Sequence, residues 1–229
     1  MSSNLMIPVI AIDGPSASGK GSVAERVAHQ LGFHYLDSGA LYRIVALAAH
    51  NKQIAWNDGE ALGAMVPNLQ IAFKNGAVLL NGEEVSAAIR SPAMSKGASL
   101  VAVHPTVRHA LLELQNSFRK APGLVADGRD MASVVFTDAQ LKVFLTAHVE
   151  ERANRRYKQL IQQNIAADYN VILQDLQERD ERDKTRFAAP LMQTKEAVLL
   201  NTDNRNIAQA VDFVLKQYYT SLQKTNSQQ

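Results

Sequence analysis

Cysteine is absent from this sequence of 229 residues. Its absence excludes disulfide bonds and thiolate metal sites, and it suits a reducing compartment such as the cytosol. A large excess of one charge is also absent, since 24 lysines and arginines stand against 22 aspartates and glutamates. A protein that mainly binds nucleic acid would concentrate basic residues on one face. The basic residues here are interleaved with acidic ones, so we expect no nucleic-acid partner.

Long hydrophobic runs are missing as well. A membrane-spanning helix needs about 20 consecutive apolar residues, and the apolar stretch near the N-terminus lacks a charged leader and a small-residue cleavage site. We therefore expect a soluble, cytoplasmic protein without a membrane partner. Hydrophobic residues still make up 46% of the chain, enough for a full core in one large domain over residues 1–229.

Glycine and serine are concentrated in the stretch IAIDGPSASGKGSVAERVAHQLG, from Ile10 to Gly32. The apolar run 9–12 before it predicts a buried strand, which Asp13-Gly14-Pro15 ends. From Lys20 onward apolar residues recur at helical spacing, and Gly32 suits the position after a helix end. A strand, a glycine-rich turn and a helix are the context of a phosphate-binding loop. Glycines let backbone N–H groups approach an anion, and the helix N-terminus adds partial positive charge.

The spacing inside this turn agrees with that interpretation. Gly14, Gly19 and Lys20 match the pattern G-x-x-x-x-G-K, in which the lysine reaches the β- and γ-phosphates. Gly21 departs from the pattern, because Ser or Thr is common there, and Ser22 follows. A glycine-rich surface turn is the alternative, but the flanking strand and helix favour phosphate binding. The candidate ATP-binding residues in the loop are Gly14, Pro15, Ser16, Ala17, Ser18, Gly19, Lys20, Gly21 and Ser22.

Strand and helix patterns alternate over most of the chain. The further predicted strands lie at residues 33–36, 124–126, 141–145 and 197–200, and the predicted helices at 38–50, 106–119, 150–163, 168–186 and 207–222. Ile207 is among the inward positions of the last helix, and residues 227–229 are expected to be disordered. This alternation indicates an α/β fold whose parallel sheet is covered by helices on both faces, with ligands beyond the carboxyl ends of its strands.

Residues 57–97 have a different character. Leu69, Ile71 and Phe73 alternate with polar or small residues. Asn75-Gly76 and Asn81-Gly82 each suit a two-residue hairpin turn. The pattern predicts a small antiparallel meander ending near residue 85, which we interpret as a subdomain inserted into the α/β fold.

A second unusual stretch is QERDERDKTR, residues 177–186. The apolar stripe of the preceding helix, Ile172 and Leu176, continues at helical spacing to Arg179, Asp183 and Arg186. The stripe therefore becomes charged without leaving the inward side. A solvated helix end with i,i+4 ion pairs is the alternative, and spacing alone does not decide between the two.

Arginines and aspartates also follow the predicted strands. Arg43 comes after the second strand, and Arg129 and Asp130 come after the strand that ends at Asp127. Phosphoryl transfer requires cations around the moving charge, and guanidinium suits this role through its fixed fork of donors. A surface ion pair of little energetic value is the alternative for Arg129. Its position directly after a buried strand favours a site.

Four segments in this order, IDGPSASGKGS, LDSGALYR, ADGRDM and ERDERDKTR, resemble the signature segments of bacterial cytidylate kinases, a branch of the nucleoside monophosphate kinases. The resemblance extends from about residue 7 to residue 215 and includes the meander. A phosphate loop alone is shared by many protein classes, whereas four segments in register are specific. Glycine after the lysine, followed by Thr or Ser, is itself typical of this family.

The resemblance implies a P-loop kinase fold with a short helical lid and ATP-dependent, Mg²⁺-assisted phosphoryl transfer to CMP or dCMP. It implies a subdomain at 57–97 that binds the monophosphate and a lid segment at 152–168, in which Arg155 and Arg156 would contact ATP. Ser22 would hold the metal, directly or through water. We expect a monomer with these small molecules as its partners.

The resemblance also assigns roles to the charged residues. The residues implied in catalysis are Lys20, Asp127, Arg179 and Arg186, the last at the transferring phosphate. The residues implied in CMP binding are Ser38, Arg43, Ser99, Arg108, Arg129, Asp130, Arg179 and Asp183. Asp130 and Ser99 would lie near the base.

Two other functions remain as alternatives. A P-loop kinase for another small molecule, such as shikimate, would share the loop, but the meander and DSGALYR argue against it. A nucleotide-dependent switch would use the loop only to sense ATP or GTP. A GTPase switch should carry Asn-Lys-x-Asp for guanine, and the segment 51–54, Asn-Lys-Gln-Ile, lacks the aspartate.

Overall fold

The computed structural model describes residues 7–74 and 76–226. Within this part of the chain the strands are β1 Val9–Asp13, β2 His34–Asp37, β3 Ile71–Lys74, β4 Ala77–Leu80, β5 Glu83–Glu84, β6 Leu124–Gly128, β7 Leu141–Thr146 and β8 Val198–Asn201. Five of them form a sheet in the order β2-β6-β1-β7-β8. The pairs β1–β6, β1–β7 and β7–β8 are parallel. The small sheet β3-β4-β5 is antiparallel, so the predicted fold class is confirmed.

Helices connect these strands. They are α1 Lys20–Leu31, α2 Ser38–Asn51, α3 Gly59–Met65, α4 Pro92–Val101, α5 Pro105–Ser117, α6 Val149–Gln162, α7 Tyr169–Thr185 and α8 Ile207–Asn226. Among the described residues, no helix combines the length and apolarity that crossing a membrane requires. The predicted boundaries agree with these within a few residues, and Arg186 lies one residue after the end of α7. The helices α3 and α4 were not predicted.

The chain divides into two compact units, one of Met1–Leu36 with Phe118–Gln229 and the other of Asp37–Ser117. The core of the first unit forms where α1 and α8 pack together beside β1 and β7. Val143 and Val214 are fully buried there. Ile207, which was predicted to point inward, is 37% exposed, because it opens α8 where the chain has only just left the loop that follows β8.

In the second unit, α2 packs on α4 and α3 on α5. The meander has the predicted two-residue turn at Asn81-Gly82, where both residues have positive φ angles, 52° and 88°. Asn75 lies outside the described residues, so the turn predicted at Asn75-Gly76 is not described, and neither are residues 227–229. Tyr218 of α8 and Trp56 of the second unit are among the large aromatic side chains that pack into the protein.

Gly97→Ala tests the close approach of α4 to α2. A Cβ at Gly97 would lie 2.7 Å from Cζ2 of Trp56 and 2.9 Å from Cβ of Ala46. Overpacking of this kind costs about 1–3 kcal/mol of unfolding free energy. Urea denaturation followed by the fluorescence of Trp56, the one tryptophan in the sequence, measures the loss. Lys96→Ala, at the exposed neighbouring position, should change stability by no more than about 0.5 kcal/mol, and equal losses in the two variants would contradict the packing argument.

Candidate functional site

The loop between β1 and α1 has the geometry of a phosphate-binding loop. A Cβ at Gly14 would lie 1.9 Å from the backbone oxygen of Leu145, so only glycine allows the loop to pass this close to β7. Gly19 has a φ of 92°, which L side chains rarely adopt, and it directly precedes α1. These two glycines set the path by which the chain leaves the strand and enters the helix.

The carbonyl groups of this loop accept hydrogen bonds from outside it. Nη1 of Arg152 donates to the Ser16 oxygen at 3.1 Å. Nη1 of Arg155 and Oγ1 of Thr202 donate to the Ser18 oxygen at 3.3 and 3.2 Å. A loop that presents its N–H groups to an anion must turn its carbonyls elsewhere, and those carbonyls need donors. Arginine and threonine side chains supply them here.

Lys20 lies in the first turn of α1, and its Nζ donates to the backbone oxygen of Pro15 at 3.3 Å. This distance exceeds the usual range for such bonds. This contact connects the ammonium group of Lys20 with the loop in which Pro15 lies.

Asp127 lies at the carboxyl end of β6 and is 4% exposed. Its Oδ1 accepts a hydrogen bond from the Tyr35 hydroxyl at 2.7 Å. A Cβ at Gly21 would lie 3.5 Å from that hydroxyl and 3.9 and 4.0 Å from the two Asp127 carboxylate oxygens. These are ordinary van der Waals contacts, so the space beside Tyr35 and Asp127 would admit a Cβ at position 21.

Arg129 connects the phosphate loop with the charged helix. Its Nε donates to Oδ2 of Asp183 and its Nη2 to Oγ of Ser16, both at 2.7 Å. Burial raises the pKa of Asp183, but the positive charges of Arg129 and Arg179 outweigh it and bring the pKa below its usual value. Asp183 is therefore ionised at neutral pH, and it fixes the direction of the Arg129 guanidinium.

The charged stripe of α7 stays on the packed side. Ile172, Leu176 and Asp183 are 9%, 7% and 4% exposed, while Arg179 and Arg186 are half-buried. Nε of Arg186 donates to the Ala189 oxygen at 2.8 Å, after the helix has ended. The burial of Asp183 contradicts the alternative of a fully solvated helix end.

Asp13 is a buried carboxylate that the sequence did not single out. Its two oxygens accept from the backbone N–H groups of Met131 and Ala132, each at 2.8 Å. These residues begin a turn of π-helix, Met131–Val135, directly after Asp130. Burial raises the pKa of Asp13 to about 7, against the opposing effect of the hydrogen bond from Ala132, and the negative charge of Asp130 raises it further. Asp13 thus ties the end of β1 to the loop that carries Arg129 and Asp130.

The predicted CMP-binding residues belong to both units. Arg129, Asp130, Arg179 and Asp183 lie in the first, and Ser38, Arg43, Ser99 and Arg108 lie in the second. Within the second unit, Nη2 of Arg43 pairs with Oδ2 of Asp37 at 2.6 Å. Gln115 donates to the Ser38 hydroxyl at 3.0 Å, and the guanidinium of Arg108 lies 5.7 Å from the centre of the Tyr42 ring. Ser99 is buried in α4.

The two arginines predicted for the lid have different surroundings. Arg155 contacts the phosphate loop, and its Nη2 also donates to the backbone oxygen of Thr202 at 2.6 Å. Arg156 donates to the side chain of Gln159 at 2.9 Å, on the exposed part of α6. The prediction missed Arg152 and Thr202. The spacing of Arg152 and Arg155, three residues apart in a predicted helix, was the signal for a shared face.

The sequence of this chain is also similar to those of known proteins. A family model described as cytidylate kinase matches residues 10–220. The cytidylate kinase of Polynucleobacter asymbioticus is 58% identical over 216 residues, which cover 94% of this chain and 98% of that protein. The cytidylate kinase of Cupriavidus necator is 56% identical over 211 residues, 92% of this chain and 95% of that protein. A crystal structure of an uncharacterized protein from Eubacterium ventriosum, 11% identical, covers 92% of this chain and 98% of that chain with a TM-score of 0.50, and this likeness concerns the fold alone.

Asp13→Asn should change how stability depends on pH. The folded pKa of about 7 lies above the ordinary value of 3.8, so between these values the folded state retains a proton that the unfolded chain has released. The stabilisation from this carboxyl is therefore complete below the lower value and is lost as the pH rises through the higher one. The unfolding free energy of the wild type, relative to Asp13→Asn, should fall between about pH 4 and 7 and then level off. Urea denaturation followed by circular dichroism at a series of pH values measures the difference.

Asp212→Asn, at an exposed position of α8, is the control and should follow the pH profile of the wild type in this range. If Asp13→Asn did the same, the raised pKa would be refuted.

Proposed function

This chain belongs to the cytidylate kinase family, and we propose that it transfers the γ-phosphoryl group of ATP to CMP or dCMP, which yields ADP and CDP or dCDP. The observation that carries this proposal is the family match over residues 10–220, because it includes the phosphate loop and both charged segments. The absence of cysteine is compatible with action in the cytoplasm.

The reaction forms a bond between a phosphate oxygen of CMP and the γ-phosphorus of ATP. The bond from that phosphorus to the β–γ bridging oxygen breaks, and the electron pair leaves with ADP. The two substrates are both anions and repel each other. The residues of the site must therefore lower that repulsion and stabilise the charge on the phosphoryl group in transit.

In the proposed mechanism the N–H groups of the loop and the start of α1 bind the phosphates of ATP. Lys20, in the first turn of α1, binds oxygens of the β- and γ-phosphates. Arg179 within α7 and Arg186 directly after it act on the transferring group. Their planar, permanently charged guanidinium groups bind phosphate oxygens in pairs.

Mg²⁺ fits the residues around the start of α1. Asp127 offers a buried carboxylate close to Gly21, and Ser22 in the first turn of α1 offers a hydroxyl. Among the residues that the structure describes, no group of three or more acidic or histidine side chains is placed to bind a metal ion by itself. Mg²⁺ prefers one or two protein oxygens together with substrate phosphates and water. When bound, it would neutralise phosphate charge.

We propose that Arg129 holds the phosphate of CMP in the first unit and that Asp183 fixes its direction. Asp130 and Arg179 of the proposed CMP set also lie in the first unit, whereas Ser38, Arg43, Ser99 and Arg108 lie in the second. The subdomain 57–97 would serve the monophosphate, and the lid segment 152–168 would cover ATP. Exclusion of water is the physical reason for such closure, since an open site would hydrolyse ATP.

The proposed function is tested by ADP release with ATP, Mg²⁺ and each of CMP, dCMP, UMP, AMP and shikimate. CMP or dCMP should stimulate ADP release most. In the same assay Lys20→Ala should lower kcat at least about a hundredfold while the protein stays folded. No stimulation by CMP or dCMP would refute the assignment. Stimulation by shikimate or AMP alone would favour a different small-molecule kinase.

Asp130→Ala tests how cytosine is distinguished from uracil. Cytosine carries an amino donor where uracil carries a carbonyl acceptor, and a carboxylate accepts from the first but repels the second. Asp130 is 2% exposed, so an unsatisfied partner there is costly. The variant should lower kcat/KM for CMP far more than for UMP and narrow their ratio at least about tenfold, or roughly 1.4 kcal/mol. An equal loss for both substrates would mean that Asp130 supports the loop without recognising the base.

A further inference from the structure

Arg152 is a buried cation in the first turn of α6, with a side chain that is 4% exposed. Its Nε donates to the backbone oxygen of Ala147 at 3.0 Å, directly after β7, and its Nη1 donates to the Ser16 oxygen at 3.1 Å. A buried guanidinium is costly unless its donors are satisfied. Two of the groups that satisfy it are backbone carbonyls, one inside the phosphate loop and one directly after β7.

Asp180 completes the surroundings of this guanidinium. Its two carboxylate oxygens accept from Nη1 and Nη2 of Arg152, at 3.1 and 2.5 Å. Asp180 lies on α7, one residue after Arg179 and three before Asp183. One guanidinium thus joins β7, the phosphate loop and the helix that carries the proposed phosphate-binding residues.

The identity of the side chain is decisive at this position. A guanidinium offers five N–H donors in a fixed plane, and Arg152 directs them toward three partners in different directions. A lysine would keep the charge but provide a single nitrogen on a flexible chain, which cannot reach the Ser16 oxygen, the Ala147 oxygen and the carboxylate together.

We propose that Arg152, oriented by Asp180, is a positioning residue that fixes the phosphate loop in the conformation that binds ATP. It acts through the Ser16 carbonyl and does not touch the nucleotide. This inference rests on the proposed function, since it names a further residue for ATP binding in that reaction. Arg152 is also the first residue of the proposed lid segment 152–168, so this segment begins at a residue that Ser16 and Asp180 hold in place.

A purely structural ion pair is the competing explanation, and the two differ in what they predict. A buried ion pair can often be replaced by apolar side chains of similar volume without loss of stability. Such a replacement would still leave the Ser16 and Ala147 carbonyls without the donors that they have here. We therefore expect the double variant Arg152→Met with Asp180→Leu to retain its stability but to bind ATP more weakly.

The experiment measures the ATP dissociation constant by calorimetry, with Mg²⁺ present, for Arg152→Lys, Asp180→Asn and this double variant, well below each melting temperature. We expect Arg152→Lys and the double variant to weaken ATP binding at least about tenfold. The double variant should unfold at a higher temperature than either single variant. In Arg152→Lys and in the double variant, KM for ATP should rise more than KM for CMP. Asp175→Asn, exposed on the same helix, is the matched control and should bind ATP like the wild type.

ATP affinity within twofold of the wild type in the double variant would overturn the proposal and leave a structural ion pair. Should Arg152→Lys fail to fold, the double variant decides the question, because its packing does not depend on the charges. The proposed function fails separately: wild-type protein that binds ATP but does not phosphorylate CMP would refute that function. The effect of Arg152 on ATP binding could still be measured in that case.

Discussion

The phosphate loop depends on hydrogen bonds that its carbonyl groups accept from distant parts of the chain. Arg152, Arg155 and Thr202 follow β7 or β8, and each donates to the backbone of Ser16 or Ser18. Backbone carbonyls turned away from a ligand must find donors elsewhere in the protein. Arg152 and Arg155 lie in α6, which follows β7, and Thr202 directly follows β8. Because the parallel strands place these donors beside the loop, the sheet determines the conformation of the loop as well as its position.

The same constraint explains why the charged residues are buried and paired. Arg129 pairs with Asp183, and Arg152 pairs with Asp180. Buried ion pairs of this kind add little to stability compared with apolar packing. These ion pairs orient the arginines instead, since each carboxylate sets the plane of a guanidinium that also contacts the phosphate loop. A site for two anionic substrates needs such fixed cations, and arginines free to move would lose part of their effect on the charge in transit.

Most of the fold could be predicted from the sequence, because hydrophobic periodicity is a local property. The apolar run before Gly14 and the apolar stripe of α1 were sufficient to predict the phosphate loop between them. Asn81-Gly82 was sufficient to predict a hairpin turn of the meander. The helices α3 and α4 were missed because the strong turn signals between residues 75 and 82 dominated the interpretation of the whole segment 57–97. Ile207 was placed inward by its spacing, yet the first residue of a helix need not follow the stripe of its later turns.

The phosphate loop, the alternating α/β pattern and the family resemblance can be derived from the sequence alone, since they depend on residue type and on spacing over short distances. The partners of the charged residues, in contrast, follow from the three-dimensional fold. Asp13 and Met131 are 118 residues apart, and Arg152 and Ser16 are 136 apart. No local pattern relates such positions. Their contacts arise because parallel strands bring the residues that follow them to one edge of the sheet, where burial selects the pairs that satisfy each other's hydrogen bonds.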